Sequence, residues 1–244
     1  MTSAENYRYG VRFTTDKEDI KSAQALRARC FGLDAHLDRD AFDAGCAHVL
    51  VSRADRDDLV CTFRMLDLNG AQIHNSYAAQ FYDLSALAGY EGRMIEMGRF
   101  CVDPGLRDPD ILRRAWGAIT AYVDANDVKL LFGCASFGGT QVAPYMDAFG
   151  LLKAHHLAPK RWSPRVKAPD VFPFGARMHQ KPDLKRAMAF MPPLLRSYLM
   201  MGAWVSDHAV VDHDMNSLHV FTALEVSAIS APRKRLLRAL CEGV

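Results

Sequence analysis

The sequence predicts an α/β fold, with one mixed central β-sheet flanked by helices and a C-terminal extension. Strand-like and helix-like segments alternate in the order β-α-β-β-β-α-β-α-β, which is typical of this fold class. The chain has 244 residues with 50% hydrophobic content, enough for a sizeable core. No internal repeat or low-complexity segment interrupts the pattern.

The first elements are a strand over residues 10–14 and a helix that runs to about Cys30. Asp16 is its predicted N-cap, and Gly32 ends it. Apolar runs between turn residues predict further strands at 48–53, 59–66, 93–102, 129–137 and 219–226.

Three helices, besides the apolar stretch discussed below, are predicted after the strand over 93–102. The first begins with Asp108 as the cap and Pro109 in the first turn. The second is a short helix closed by Gly150, and the third is a basic C-terminal helix over 227–240. The apolar stretch 187–204 is interrupted by prolines and is too short to span a bilayer, so we favour a buried helix over an interfacial one.

The first twenty residues contain no apolar run, which predicts a cytoplasmic protein without a leader or membrane anchor. The six cysteines are scattered and form no CxxC pair, and the histidines lack ligand-like spacing. We therefore expect no disulfide framework and no metal site.

Positive charge is concentrated between Lys153 and Arg186, where the sequence has nine Lys and Arg residues but only two Asp residues. Such a surface suits an acidic partner: a carrier protein, an anionic membrane or a nucleic acid. Nucleic acid is the weakest of the three, because no binding motif surrounds the cluster. A solvated surface without a partner is the alternative.

Four short motifs occur in order along the first hundred residues. They are an Arg and an aromatic residue four apart, an acidic run, a strand Arg, and Glu-x-x-Arg-aromatic on a central strand. Their positions are Arg27 and Phe31; Asp38, Asp40, Phe42 and Asp43; Arg64; and Glu96, Arg99 and Phe100. This arrangement resembles the acyl-homoserine-lactone synthases and the ornithine-lipid N-acyltransferases, both variants of the GNAT fold.

The C-terminal part resembles the ornithine-lipid branch, whose members carry a similar PPLL-Arg-x-Tyr, Gly-Ala-x-Val and Asp-x-x-x-Asn run. The autoinducer synthases are shorter and lack it. The resemblance implies a GNAT-like core over 1–152. It also implies that 153–244 belongs to the same acyltransferase domain, with a basic surface and a segment facing the acyl chain or the membrane.

The resemblance implies transfer of an acyl group from a thioester to an amine. A carboxylate must then take the proton of the attacking ammonium, and Glu96, in an apolar strand whose desolvation would raise its pKa, suits that role. GNAT proteins commonly carry a bulge in this strand, so we expect main-chain N–H groups near Phe100, Cys101 and Val102 to bind the thioester oxygen. A purely structural Glu96–Arg99 salt bridge is the alternative.

The acceptor site is expected to include Asp40 and Asp43, which could hold a cationic group of an amino acid. A solvated acidic loop is the alternative. Arg27 and Arg64 could bind the acceptor carboxylate or tie the acidic loop to the sheet. The resemblance adds Phe31 and Arg99 to the substrate-binding set.

The donor is expected to be acyl carrier protein. GNAT enzymes that use coenzyme A usually place a glycine-rich loop at a helix start, whose N–H groups hold the pyrophosphate. Here Asp108, Pro109 and Asp110 occupy those positions, which suits one 4'-phosphopantetheine phosphate better. No bound cofactor is expected. The predicted donor-binding residues are Arg107, Arg113 and Arg114 near the phosphate, and Lys160, Arg161 and Arg165 on the carrier surface.

The predicted function is acylation of the α-amino group of ornithine by a 3-hydroxyacyl carrier protein, giving a lyso-ornithine lipid. The predicted partners are acyl carrier protein, the amino-acid acceptor and an inner-membrane surface, but no nucleic acid. Glutamine or lysine as the acceptor, acyl-homoserine-lactone synthesis and a non-enzymatic lipid- or carrier-binding protein stay open as alternatives.

Overall fold

The computed structural model describes residues 7–56 and 58–241. The predicted absence of a leader falls partly on residues 1–6, and the turn residues that the sequence predicts between the strands over 48–53 and 59–66 include Asp57; residues 1–6 and Asp57 lie outside the described part. The strands are β1 Tyr9–Thr14, β2 Ala47–Arg53, β3 Leu59–Leu68, β4 Tyr82–Asp83, β5 Arg93–Val102, β6 Val128–Gly138, β7 Arg165–Val166, β8 Val171–Phe172, β9 Trp204–Asp212 and β10 Ser217–Glu225. The α-helices are α1 Lys17–Phe31, α2 Pro109–Ala125, α3 Met146–His155, α4 Phe174–Arg177, α5 Leu184–Phe190, α6 Pro193–Met200 and α7 Ala231–Ala239.

Contacts divide the chain into two compact units, and strand β5 contributes residues to both. The first unit consists of Met1–Asp67, Met97–Val128 and Ser230–Val244, and the second of Leu68–Glu96 and Lys129–Ile229. Neither unit ends at residue 152, the boundary that the sequence predicts for the core.

The first unit carries strands in the order β1-β2-β3-β5. Strands β1 and β2 pair antiparallel, as do β2 and β3, where buried Val49 lies opposite buried Phe63. Helix α1 begins and ends as predicted, because the Asp16 carboxylate accepts two N–H groups of the first turn. Gly32 closes it in a left-handed conformation with a φ of 64° that favours glycine.

The second unit carries strands in the order β5-β6-β10-β9-β8. Strands β6, β10, β9 and β8 pair antiparallel. Strands β5 and β6 are neighbours joined through helix α2, the crossover connection that parallel neighbours require. The predicted mixed sheet with flanking helices is thus confirmed.

A buried polar cluster lies among the aromatic side chains of the second unit. The Tyr82 hydroxyl lies 2.8 Å from the main-chain oxygen of His219 and 3.1 Å from its Nδ1. The ring of His208 lies beside Tyr82, with a centroid distance of 5.2 Å. Burial lowers the pKa of His219 to about 4, so this imidazole is neutral at physiological pH.

Two element predictions in the second unit are wrong. Helix α3 does not stop at Gly150 but continues to His155, and Gly150 is buried inside it. A Cβ there would lie 3.2 Å from Pro182, so the glycine serves close packing and not capping. The sequence analysis also misses strand β9, which pairs with β10 at both of its ends and has a register shift between them.

The apolar stretch 187–204 does not form one buried helix. Pro192 and Pro193 separate α5 from α6, and α5 buries only Ala187 among its seven residues. No helix in the described ranges is both long and apolar enough to cross a membrane.

Candidate active site

The side chain of Arg27 anchors the acidic loop from the inner face of α1. It is 1% exposed. Its Nε donates to Asp38 at 2.8 Å, and its Nη1 and Nη2 donate to the two carboxylate oxygens of Asp43 at 2.8 and 3.0 Å. Gln24, one turn earlier on the same helix face, donates to Asp43 at 2.9 Å. Helix α1 thus fixes both Asp38 and Asp43.

Arg64 holds the same loop from strand β3. Its Nη1 and Nη2 donate to the two oxygens of Asp40 at 2.5 and 2.6 Å, which is the bidentate geometry of a strong Arg–carboxylate pair. Nη1 also donates to Asp43 at 2.6 Å. Burial acts to lower the pKa of Arg64, but Asp40 and Asp43 raise it above its usual value. Arg64 is therefore a permanent cation.

Arg99 approaches the loop from β5 and has an unusual backbone. Its φ is 55°, in the left-handed region that a non-glycine residue rarely adopts. Its Nε donates to Asp38 at 2.9 Å and its Nη2 to Asp40 at 3.2 Å. The left-handed residue interrupts the regular alternation of β5, as the expected bulge would. Strain of this kind persists where surrounding contacts over-determine it, and here two ion pairs do so.

Arg27, Arg64 and Arg99 balance the charges of Asp38, Asp40 and Asp43. Burial acts to raise the pKa of Asp43, but hydrogen bonds and positive charge from Arg27 and Arg64 hold it below its usual range. The pKa of Asp40 is lowered in the same way, chiefly by Arg64. Buried charges are stable only when paired and hydrogen-bonded on all sides, and this network meets that condition. Of the two roles predicted for Arg27 and Arg64, tying the acidic loop to the sheet fits this geometry.

The network has one partly open edge. The Asp40 side chain is 18% exposed and that of Arg99 is 12% exposed, whereas Arg27 and Asp43 are more deeply buried. Phe31, one turn after Arg27 on α1, is partly buried at the helix end. Asp40 and Arg99 are therefore the most accessible of the charged side chains in this network.

Glu96 lies on β5 and holds a neighbouring loop. It is 4% exposed. Its Oε2 accepts the N–H of Tyr77 and its Oε1 accepts the N–H of Ala78, both at 2.7 Å. These two contacts fix the position and the direction of the carboxylate. The Arg99 guanidinium, in contrast, donates to Asp38 and Asp40. Glu96 and Arg99 therefore contact two different loops.

The residues after the left-handed Arg99 are those expected to provide the oxyanion N–H groups. The Phe100 ring stacks on Phe63 with a centroid distance of 5.1 Å, which fixes the strand at this point. Cys101 is buried, and the Cys30 thiol lies 3.4 Å from the Val102 carbonyl oxygen. The oxyanion role of Phe100, Cys101 and Val102 stays a prediction.

The start of α2 is closed by acidic groups. Asp108 is the N-cap, and its carboxylate accepts the N–H of Asp110 at 3.0 Å, the Tyr9 hydroxyl and the Arg8 guanidinium. Pro109 has no N–H to offer, and the Gly105 N–H is taken by Asp103. The N–H groups of Gly105 and Asp110 are therefore engaged within the chain, and the two carboxylates at the helix start, Asp108 and Asp110, each pair with an arginine.

The predicted donor-binding arginines near α2 differ in accessibility. Arg107 is exposed. Arg113 is exposed and pairs with Asp110 at 2.5 Å. Arg114 is 7% exposed and lies over the Tyr7 ring at 4.4 Å. Arg107 and Arg113 are therefore the accessible members of this set.

The predicted carrier-binding side chains Lys160, Arg161 and Arg165 are all exposed. Other lysines of the basic stretch have structural contacts instead: Lys153 donates to the Met178 carbonyl, and Lys167 donates to the Ala79 carbonyl. The basic stretch thus contains exposed cations as well as lysines that donate hydrogen bonds to main-chain carbonyl groups.

Sequence reasoning missed several members of these clusters. Gln24 could have been found, because it lies three residues before Arg27 on one helix face. His48, whose Nε2 lies 3.0 Å from the Asp43 carbonyl oxygen, has no such signal. Tyr77 and Ala78 contribute only main-chain N–H groups to Glu96, which the residue types cannot reveal.

Comparisons with known proteins identify the family of this chain. Residues 24–117 match the acetyltransferase (GNAT) domain family. An L-ornithine N(alpha)-acyltransferase of Rhodobacter capsulatus is 30% identical over 96% of both chains. Proteins of the same name from Agrobacterium fabrum and Brucella abortus are 31% and 32% identical, over 90% and 91% of this chain and 82% and 85% of theirs.

Solved structures share the fold at low sequence identity. The N-acyl amino acid synthase FeeM from uncultured soil microbes is 12% identical with a TM-score of 0.51, over 97% of this chain and 98% of that one. TofI in its apo form is 13% identical with a TM-score of 0.53, over 96% of this chain and 100% of that one. The predicted GNAT fold is confirmed. The chain is an acyltransferase of the GNAT fold and belongs to the family of the L-ornithine N(alpha)-acyltransferases.

Proposed function

We propose that this enzyme transfers a 3-hydroxyacyl group from acyl carrier protein to the α-amino group of ornithine, giving a lyso-ornithine lipid. The observation that carries the proposal is similarity along nearly the whole chain to relatives named L-ornithine N(alpha)-acyltransferase. That similarity extends over 90–96% of this chain and so includes most of the C-terminal part.

Glu96 is the proposed proton acceptor. The acceptor ammonium must lose a proton before its nitrogen attacks the thioester carbonyl, and Glu96 would take that proton directly or through a water molecule. Its contacts with Tyr77 and Ala78 at 2.7 Å fix the direction of the carboxylate. The new amide bond then forms as the carbon–sulfur bond breaks, and the pantetheine thiol leaves.

Main-chain N–H groups after Arg99 are proposed to stabilise the developing oxyanion. The left-handed backbone of Arg99 supports this assignment, because it breaks the regular ladder of β5 next to Phe100. Removing one such donor typically costs about 10²–10³ in kcat.

The acceptor is proposed to bind at the open edge formed by Asp40 and Arg99. Asp40 could contact a cationic group and Arg99 a carboxylate, if each releases one of its present partners. Asp43 is then a positioning residue, because Arg27, Arg64 and Gln24 already occupy both of its oxygens.

The donor is proposed to be a carrier thioester because the start of α2 carries the carboxylates of Asp108 and Asp110. The N–H groups of Gly105 and Asp110 also already donate to carboxylates within the chain. Lys160, Arg161 and Arg165 supply an exposed surface for an acidic carrier. Such surface contacts weaken with salt, since screening acts over about 8 Å at physiological ionic strength.

The test is to incubate the protein with matching 3-hydroxyacyl carrier protein or 3-hydroxyacyl-CoA and a panel of amino acids, and to identify the products by mass spectrometry. We expect ornithine to be the preferred acceptor and the carrier thioester to have the higher kcat/KM. The preference for the carrier should shrink as salt rises. A preference for another amino acid would overturn the acceptor assignment.

Charge reversal tests the carrier surface separately. Replacing Lys160, Arg161 and Arg165 by Glu should raise KM for the carrier thioester and leave kcat for a small pantetheine thioester unchanged. The matched control reverses three exposed cations elsewhere, Lys17, Lys21 and Arg235. Equal effects of both triple variants, or none of either, would contradict the assignment of this surface.

A further inference from the structure

Helix α5 exposes apolar side chains that a globular surface helix would normally bury. Leu184 is 56% exposed, Met188 39% and Phe190 47%. Only Ala187 of this helix is buried, in the core of the second unit. Leu184 and Met188 are four residues apart and share one helix face. The apolar face of α5 therefore points outward.

Two further exposed apolar side chains belong to other helices of the second unit. Met200, on α6, is 57% exposed. Met146, on the helix α3 that packs against α5, is also exposed. The Phe190 ring contacts Tyr145 edge-to-face at 6.3 Å, which holds it in a defined position without covering it. Exposed apolar patches of this kind mark interaction surfaces.

Cations surround these apolar side chains. Lys181, Lys185, Arg186 and Arg196 are exposed. Asp183 caps α5 by accepting the Arg186 N–H at 3.0 Å, and Asp147 pairs with the Arg186 guanidinium at 3.3 Å. Apolar side chains flanked by Lys and Arg are the composition of helices that lie in the interface of anionic membranes.

We propose that α5 and α6 form a docking surface for an anionic lipid membrane. Leu184, Met188 and Phe190 enter the boundary between headgroups and acyl chains, and the surrounding cations contact the anionic headgroups. A second copy of the chain fits this surface less well, because like cations would face each other. An acidic protein would match the cations but would not need the outward apolar face. The proposal does not depend on the identity of the acceptor amino acid.

Vesicle co-sedimentation tests the proposal with the full chain. We expect binding to phosphatidylglycerol vesicles, weaker binding to phosphatidylcholine vesicles, and a decline with salt. Replacing Leu184, Met188 and Phe190 together by Ser should reduce the partition coefficient by at least about tenfold, since each buried apolar side chain is worth about that factor. Phe190→Leu should retain binding, because it keeps the apolar surface.

The matched control is Leu236→Ser, since Leu236 is a 65% exposed apolar residue on the basic helix α7. It should bind vesicles like the wild type. Thermal unfolding should show that each variant is folded, with a modest loss of stability in the triple Ser variant because it removes the contact between Phe190 and Tyr145. Acyl transfer from a small soluble thioester should also be unchanged, which separates this proposal from the proposed function.

Three outcomes would overturn the proposal. The first is that the wild-type chain does not bind phosphatidylglycerol vesicles. The second is that the triple Ser variant binds them as well as the wild type. The third is that the variant's main effect is loss of a concentration-dependent dimer, or a raised KM for the carrier protein, without a change in vesicle binding.

Discussion

At the residue scale, Glu96 and Arg99 show how one strand positions two separate groups. Glu96 accepts two main-chain N–H groups, and Arg99 turns into a left-handed conformation to reach Asp38 and Asp40. The three-residue spacing would place both side chains on opposite faces of a regular strand. The kink at Arg99 removes that constraint, so the spacing alone could not predict their partners.

Glu96→Gln should reduce kcat by about 10²–10⁴, because an amide cannot accept the ammonium proton. The variant should also lose about 1–3 kcal/mol of unfolding free energy, since the amide offers one acceptor oxygen to two buried N–H donors. Steady-state kinetics and urea unfolding measure the two effects.

A pH series separates the catalytic from the structural contribution of Glu96. Raising the pH supplies neutral amine without a protein base, so the activity of the variant should rise towards that of the wild type. A loss that stays constant with pH would indicate a purely structural role. Glu91→Gln, at an exposed carboxylate, is the control and should behave as wild type.

Sequence reasoning identified most residues of the ionic network but not which of them pair with one another. Arg27, Asp40, Asp43, Arg64 and Arg99 were all predicted as site residues, because charged residues in that pattern resemble the family motif. Their mutual pairing depends on tertiary geometry that the pattern does not encode. Asp43 accepts hydrogen bonds from Gln24, Arg27 and Arg64, and its predicted contact with the acceptor stays a prediction.

At the element scale, predictions held where a local signal determines the structure. Asp16 and Gly32 bound α1, and Asp108 and Pro109 start α2, because caps act within a few residues. The predictions were wrong where tertiary packing determines the ends of an element. Gly150 has the residue type of a helix end but lies within α3 against Pro182.

The cap of α2 carries a prediction about the donor. Asn caps a helix about as well as Asp but has no charge, so Asp108→Asn should leave the unfolding free energy within about 1 kcal/mol of wild type. Removing the negative charge should lower KM for acyl-CoA several-fold, because the pyrophosphate is no longer repelled. KM for the carrier thioester should change less. Competition assays with both donors measure these values.

Asp16→Asn is the matched control, because Asp16 caps α1 in the same way through Glu18 and Asp19. It should alter neither donor constant. If Asp108→Asn left the use of acyl-CoA unchanged, the charge at this helix start would not be what disfavours coenzyme A.

At the scale of the whole molecule, the order of strands and helices was predictable because hydrophobic periodicity follows burial. Strand β9 was missed, since Ser206, Asp207 and His208 break the alternation expected of a strand. In the structure Ser206 and His208 are buried, and the Ser206 hydroxyl lies within hydrogen-bonding distance of the main-chain oxygen of His208 and the N–H of Phe221. Buried polar residues of this kind are recognised only once their partners are known.

Buried histidines in both units predict that the protein loses stability in mild acid. His48 in the first unit and His219 in the second have pKa values lowered by burial, the latter from 6.5 to about 4. Between these two values the unfolded chain binds more protons than the folded chain. The unfolding free energy should therefore fall as pH falls from about 6.5 to about 4, with His219 contributing up to about 1.4 kcal/mol per pH unit. It should be nearly flat between about pH 7 and 8.

Below about pH 4 the slope should steepen, because Asp40 and Asp43 have lowered pKa values in the folded state and resist protonation there. Urea unfolding between pH 3.5 and 8 measures the whole profile. His219→Asn should flatten the slope between pH 4 and 6.5 whatever it does to absolute stability, because Asn does not titrate. His213→Asn, at an exposed histidine, should keep the wild-type slope. An unchanged slope in His219→Asn would show that this imidazole does not stay neutral when buried.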